Sequence, residues 1–195
     1  MSYRGAMPRL FLAINVEPGP ALVELLDRVR ANGRGLRVVR YDPLHLTLAF
    51  LGETAEQRVE PIASQVRRAV QDVAPFDLPL RGLDQFGPPD RPRVLLTRPA
   101  EDARGYTQLM ELANLVRSAV REDLPPDRFG FTPHITLARA HNPSDAARTL
   151  QRLLPEYTHT DLGIYRVDTV RLIESELTPS GPTYRERTSA VLRGV

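Results

Sequence analysis

The five residues His45-Leu46-Thr47-Leu48-Ala49 return further along the chain as His134-Ile135-Thr136-Leu137-Ala138. The offset is the same at both polar positions, since 134 − 45 = 89 and 136 − 47 = 89. In an extended strand residues i and i+2 share a face. Each copy therefore presents an imidazole beside a hydroxyl on one side and buries two aliphatic side chains on the other. A period this long is not that of a solenoid built from small repeats. Two lobes related by a pseudo-two-fold axis are the economical way to fold such a chain, and packing them together brings all four polar groups to one cleft.

The flanking sequence repeats the same plan. Leu10 to Asn15 and Val94 to Arg98 read as strands, and an amphipathic helix follows each, over Pro20 to Ala31 and Gly105 to Arg121. The first carries Leu22, Leu25, Leu26 and Val29 at helical spacing and stops at Gly33; the second keeps the rhythm from Tyr106 to Val120, with Pro125 and Pro126 ending it. Each helix leads to a His-bearing strand, His45 to Leu51 and Pro133 to Ala138. Further strands are expected over Leu36–Val39, Leu78–Phe86, Val167–Leu177 and Tyr184–Leu192, and further helices over Glu60–Val73 and Ser144–Leu154.

With 195 residues and 42% hydrophobic content, the chain is long enough for one sizeable core, so residues 9–195 read as a single bilobal domain preceded by a leader at 1–8. The chain has no cysteine, which excludes a disulfide framework, a thiolate nucleophile and thiolate-rich zinc sites. The longest early apolar run, Leu10 to Ile14, is far too short to cross a membrane or to form a signal-peptide core. A cytoplasmic protein without membrane contact is the expectation. The net charge of +2 is too small to define a nucleic-acid binder. Its distribution says more: Arg28, Arg30, Arg34, Arg37 and Arg40 come without an intervening acid just ahead of the first motif, which suits either a solvated helix end or a phosphate-attracting rim.

Two opposed histidines suit a reaction needing a base and an acid in one turnover, because imidazole exchanges protons near neutral pH. Opening a cyclic phosphodiester is such a reaction: one histidine takes a proton from attacking water and the other gives one to the departing ribose oxygen. The Thr47 and Thr136 hydroxyls can hold the non-bridging oxygens as charge builds. Metal binding is the rival use of two histidines, but catalytic zinc and iron sites add a third ligand, often a carboxylate, and neither motif contains an acid. Three residues after Thr47 stands Phe50, expected in the core; three after Thr136 stands Arg139, a candidate phosphate ligand. Arg139 is an odd step from His134, so only a bulge or a strand end can aim it at the cleft. His141 and His159 lack a matching context and read as surface residues.

At these motifs the chain resembles the 2H phosphoesterase superfamily, and within it the RNA 2′,3′-cyclic phosphodiesterases also called 2′-5′ RNA ligases. The resemblance rests on Leu44 to Gly52 (LHLTLAFLG) and Phe131 to Arg139 (FTPHITLAR), with support from Arg9 to Ile14, Phe86, Glu174, Ser175, Gly181 and Tyr184. It implies an α+β fold of two lobes with antiparallel sheets lining a central cleft and helices outside. It also implies an RNA ending in a 2′,3′-cyclic phosphate as substrate, a 2′-phosphomonoester as product, and no metal or other cofactor; separately from the resemblance, a monomer is the expectation. On this reading His45 protonates the leaving 3′-oxygen, His134 activates the water, and Thr47, Thr136 and Arg139 hold the phosphate. Ligation would be the same chemistry reversed. Two alternatives stay open: another 2H branch, trimming RNA tails or acting on small nucleotide cyclic phosphates, and a nucleotide-binding module that keeps the cleft without turnover.

Overall fold

The computed structural model describes residues 7–40, 44–126, 130–178 and 181–194. The leader read over residues 1–8 thus lies mostly outside the described residues, while the Pro8 carbonyl already accepts a hydrogen bond from the Thr54 N–H at 2.9 Å. In chain order the elements are β1 (Arg9–Asn15), α1 (Pro20–Asn32), β2 (Leu36–Val38), β3 (His45–Glu53), α2 (Val59–Val70), β4 (Phe76–Phe86), β5 (Val94–Pro99), α3 (Arg104–Ala119), β6 (Ile135–Ala140), α4 (Pro143–Tyr157), β7 (Asp161–Val167), β8 (Thr169–Thr178) and β9 (Gly181–Val191).

Among the described residues the strands form one nine-stranded sheet in the order β7-β4-β5-β6-β3-β1-β8-β9, with β2 added beside β6. Every pairing is antiparallel. The order is palindromic about its centre: β6 matches β3, β5 matches β1, β4 matches β8 and β7 matches β9. At that centre β3 and β6 meet at one rung, Leu46 opposite Ile135. Those residues are themselves equivalent, since 135 − 46 = 89, so the pseudo-two-fold axis passes through the rung.

The helices cover one face of the sheet and leave the other to the cleft. Each buries an aliphatic stripe at helical spacing, such as Leu22, Leu25, Leu26 and Val29 of α1 and Ile62, Ala63, Val66 and Val70 of α2. The stripes join Leu10, Leu12 and Ile14 of β1 and Leu46 and Leu48 of β3 in the main core. The intervening residues of β1, Phe11 and Ala13, instead form a small second cluster with Ile173 and Tyr184. That alternation makes β1 central, buried on both faces. Helix α1 lies by β2 and β7, and α3 reaches β3 as well as β4, so the first helix of each lobe rests partly on a strand of the other. Gly105 permits the close seating of α3 on β4, because a Cβ there would stand 2.1 Å from the Asp77 carbonyl oxygen.

Three elements differ from the sequence expectation. Strand β7 has no counterpart in it, because a bulge at Gly163 (φ 110°) breaks the period-2 pattern and leaves Ile164 exposed beside buried Leu162 and Tyr165. Helix α3 ends at Ala119, a full turn before the prolines expected to stop it. Helix α4 continues through Pro155 to Tyr157, since a proline in the last turn forfeits only one helical hydrogen bond.

The central rung yields a stability prediction. Leu46 is fully buried, so Leu46→Ala should cost about 2–5 kcal/mol. For a chain of this size each kcal/mol lowers Tm by about 2–4 °C. A melting temperature unchanged by the substitution would show that the rung does not hold the halves together.

Candidate active site

The antiparallel rung Leu46–Ile135 sets His45 against Thr136 on one side of the axis and Thr47 against His134 on the other. Because Leu46 and Ile135 point into the core, the four flanking polar side chains share the opposite face, which is the cleft. The structure thus brings together the four groups the repeat singles out. Among the described residues neither Thr47 nor Thr136 uses its hydroxyl in a hydrogen bond within the protein, which leaves both available to a ligand.

Beyond the threonines both motif strands bulge at the same place. In β3 the register jumps from Leu12↔Ala49 to Ala13↔Thr47, which makes Leu48 the extra residue. In β6 it jumps from Leu95↔Ala138 to Leu96↔Thr136, which makes Leu137 the extra residue. These two positions are again 89 apart (137 − 48). Each bulge buries two successive residues and flips the alternation, so the burial pattern of residues 45–50 repeats over 134–139. Arg139 is thereby aimed at the cleft, as its candidate role requires. The expectation that Phe50 lies in the core is corrected by the same geometry: Phe50 is 62% exposed on the cleft face.

The two imidazoles sit in different surroundings. His45 packs on the Phe11 ring, with centroids 5.0 Å apart, and meets the Tyr184 ring edge-on at 5.1 Å. His134 stands at the mouth of β6, where its Nδ1 lies 2.9 Å from the Thr132 carbonyl oxygen. A carbonyl only accepts, so Nδ1 carries the proton and Nε2 is left with the lone pair in the neutral ring. The edge of Phe86 meets the His134 ring at 4.7 Å; Arg98 covers Phe86 and is itself held by Asp84 through a 2.8 Å bond from Nε. Burial pushes the His134 pKa below the ordinary imidazole value, the Thr132 carbonyl opposes that shift, and the positive charges of Arg98 and Arg139 add to it. The Tyr184 phenol is raised by burial, with Arg139 opposing.

Among the described residues, cavities open at both motif histidines. One of about 950 Å³ contains Thr47, Phe50, Phe86, His134 and Arg139; one of about 320 Å³ contains His45, Arg40, Asn15 and Tyr184.

A family model described as the 2′-5′ RNA ligase superfamily matches residues 16–178. The chain belongs to this superfamily. The similar proteins include an RNA 2′,3′-cyclic phosphodiesterase of Thermus thermophilus, 34% identical over 95% of this chain and 91% of the relative. One of the same name from Aeropyrum pernix is 30% identical over 84% and 90% of the two chains. Among solved structures, the Thermus thermophilus protein TT0787 superposes with a TM-score of 0.76 at 33% identity, covering 95% of this chain and 98% of the other. Escherichia coli LigT complexed with 3′-AMP gives 0.69 at 26% identity, over 96% and 99%.

As a member of the 2′-5′ RNA ligase superfamily, the chain has both His-x-Thr motifs on one cleft. The other two histidines, His141 and His159, are exposed, on the turn into α4 and just after its end, and neither lines the cavities that contain the motif residues. The arginine run before the first motif is divided by β2. Arg28 bonds Tyr157 of α4 at 2.8 Å, and Arg34 lines a groove between α1 and α4 on the helix side, whereas Arg37 and Arg40 fall on the cleft side. Tyr41, the end of that run, lies outside the described residues. Among the described residues no group of three His, Cys, Asp or Glu side chains is placed to share a metal ion, and no helix is long and apolar enough to cross a membrane. Residues the motif pattern does not reveal are Phe11, which supports His45, and Arg98, which reaches His134 through Phe86.

The lowered His134 pKa has a measurable consequence. The unfolded chain takes up this proton at about pH 6.5 and the folded chain only at lower pH, so protonation favours unfolding. His134 should titrate below 6.5 by NMR, and its contribution to stability should be complete above that pH and lost as pH falls through the folded value. His134→Gln should flatten this part of the stability profile; an imidazole that titrates at or above 6.5 would contradict the assignment.

Proposed function

We propose that this protein hydrolyses the 2′,3′-cyclic phosphate at the end of an RNA to a 2′-phosphomonoester, with His45 and His134 as the acid–base pair. The observation that carries the reading is the axial rung, which sets two imidazoles and two free hydroxyls about one point of a cleft. The RNA 2′,3′-cyclic phosphodiesterases similar over most of the chain point the same way.

In this mechanism His134 is the base. Its Nδ1 proton is committed to Thr132, its depressed pKa keeps the ring neutral near pH 7, and Nε2 takes the proton from water as the oxygen bonds to phosphorus. The P–O3′ bond breaks in line, and His45, protonated, gives its proton to the departing oxygen. The hydroxyls of Thr47 and Thr136 donate to the non-bridging oxygens, and Arg139 neutralises the charge that grows on them. The exposed Phe50 ring offers a face for the terminal base. A 5′-hydroxyl in place of water would run the chemistry towards a 2′-5′ linkage. No step calls for a metal or an organic cofactor.

His45→Ala and His134→Ala should each lower kcat/KM on a cyclic-ended RNA by about 10²–10⁴-fold. The double variant should be little worse than either single one, because the pair works as a unit. Circular dichroism separates this from unfolding: early melting with normal turnover by the folded fraction would make that histidine structural. Activity should also withstand excess chelator, and loss of turnover on removing a stoichiometric metal would overturn the two-histidine mechanism.

A further inference from the structure

Strand β2 is only three residues long, yet it places a second arginine beside the first. In the β2–β6 ladder Arg37 lies directly opposite Arg139, so the two side chains emerge on the same face, with Cα atoms about 5 Å apart as in any such pair. On the other side of β6, Val94 of β5 lies opposite Arg139. The residue before it, Arg93, lines the 950 Å³ cavity together with His134 and Phe86. Strands β2 and β6 and the residue leading into β5 thus bring Arg37, Arg139 and Arg93 to one rim of the cleft, and all three are exposed.

Like charges directly opposed across a ladder repel and lower stability unless an anion lies between them. Elsewhere on this protein several half-buried arginines are held by acids: Arg81 pairs with Asp102 and Asp161, Arg58 with Asp123, and Arg187 with Glu56 and Glu174. Among the described residues no carboxylate pairs with Arg37, Arg93 or Arg139, and none lines the cavity. That cavity is also at the upper end of the range for a single small-molecule ligand. One phosphate occupies Arg139 in the proposed reaction, so two cations and much of the volume are left over.

We infer that this rim is a subsite for the RNA backbone upstream of the cyclic end, with Arg37 and Arg93 holding the next phosphate or phosphates and Arg139 the reacting one. The inference rests on the proposed function and adds its substrate class: a polynucleotide end in preference to a cyclic mononucleotide. It also divides the arginine run before the first motif. Arg37 belongs to the RNA track, whereas Arg34, on the helix side by Arg148 and Arg152, does not.

The test compares kcat/KM for a 2′,3′-cyclic mononucleotide and a trinucleotide with a 2′,3′-cyclic end, across a salt series. Wild type should prefer the trinucleotide, and the preference should shrink as salt rises, because each phosphate contact releases counterions. Arg37→Ala and Arg93→Ala should each lower the trinucleotide value about tenfold and the mononucleotide value no more than about twofold, and should each reduce the salt slope by about one. Arg34→Ala should change neither. Equal losses on the two substrates, or no loss on the trinucleotide, would overturn the subsite while leaving the cyclic phosphodiesterase reading intact. A wild-type protein that turns over neither substrate would overturn both.

Discussion

Leu46 and Ile135 are fully buried, and the rung they form is, among the described residues, the only one that joins β3 to β6 at the centre of the sheet. Everything at the cleft is referred to that rung. Because it pairs equivalent residues, the symmetry axis runs through it, and each histidine stands one residue from the axis on its own strand. The imidazoles are therefore positioned by backbone hydrogen bonding and by the close packing of two aliphatic side chains beneath them, not by a flexible loop. Interiors packed at crystal-like density resist displacement, which is the property a pair of proton-transfer groups needs from its support.

Symmetry supplies the two histidines, and departures from symmetry give them different work. The equivalent bulges at Leu48 and Leu137 aim residues 50 and 139 at the cleft, but one is a phenylalanine and the other an arginine. One wall of the site is thus suited to a base and the other to a phosphate. The supports differ in the same way. His45 lies against the rings of Phe11 and Tyr184, while His134 has a carbonyl on Nδ1 and two guanidinium groups within electrostatic reach. A neutral ring with a fixed tautomer is the state expected of a base before reaction, and burial together with positive charge is what holds His134 there.

Several arginines away from the motif strands are held by carboxylates. Some of these pairs link separate elements, as Arg187 joins Glu56 to Glu174 of β8 and Arg166 meets Asp77 of β4. Most of these pairs are substantially exposed, so each adds little to stability and mainly keeps the surface charge balanced. Arg37, Arg93 and Arg139 at the cleft rim have no such partners among the described residues, which adds positive potential at the place where a polyanion would enter.

The sequence by itself determined the α+β plan, the two-lobed organisation and the identity of the paired histidines and threonines. It could do so because a repeated pentapeptide with period-2 alternation fixes which residues share a face, whatever the partner strand. It also posed the right question about Arg139, since an odd spacing requires a break in the pleat. Tertiary structure alone decided the answers that depend on register. The bulge at Leu137 is seen only against β5, and its twin at Leu48 only against β1; the second places Phe50 in the cleft although its spacing and apolarity suit the core. The same dependence hid β7, whose glycine bulge erases the alternation, and the pairing of Arg37 with Arg139, residues about a hundred positions apart. Local spacing records the faces of one strand, while a bulge or a cross-strand neighbour exists only once two strands are hydrogen-bonded in a particular register.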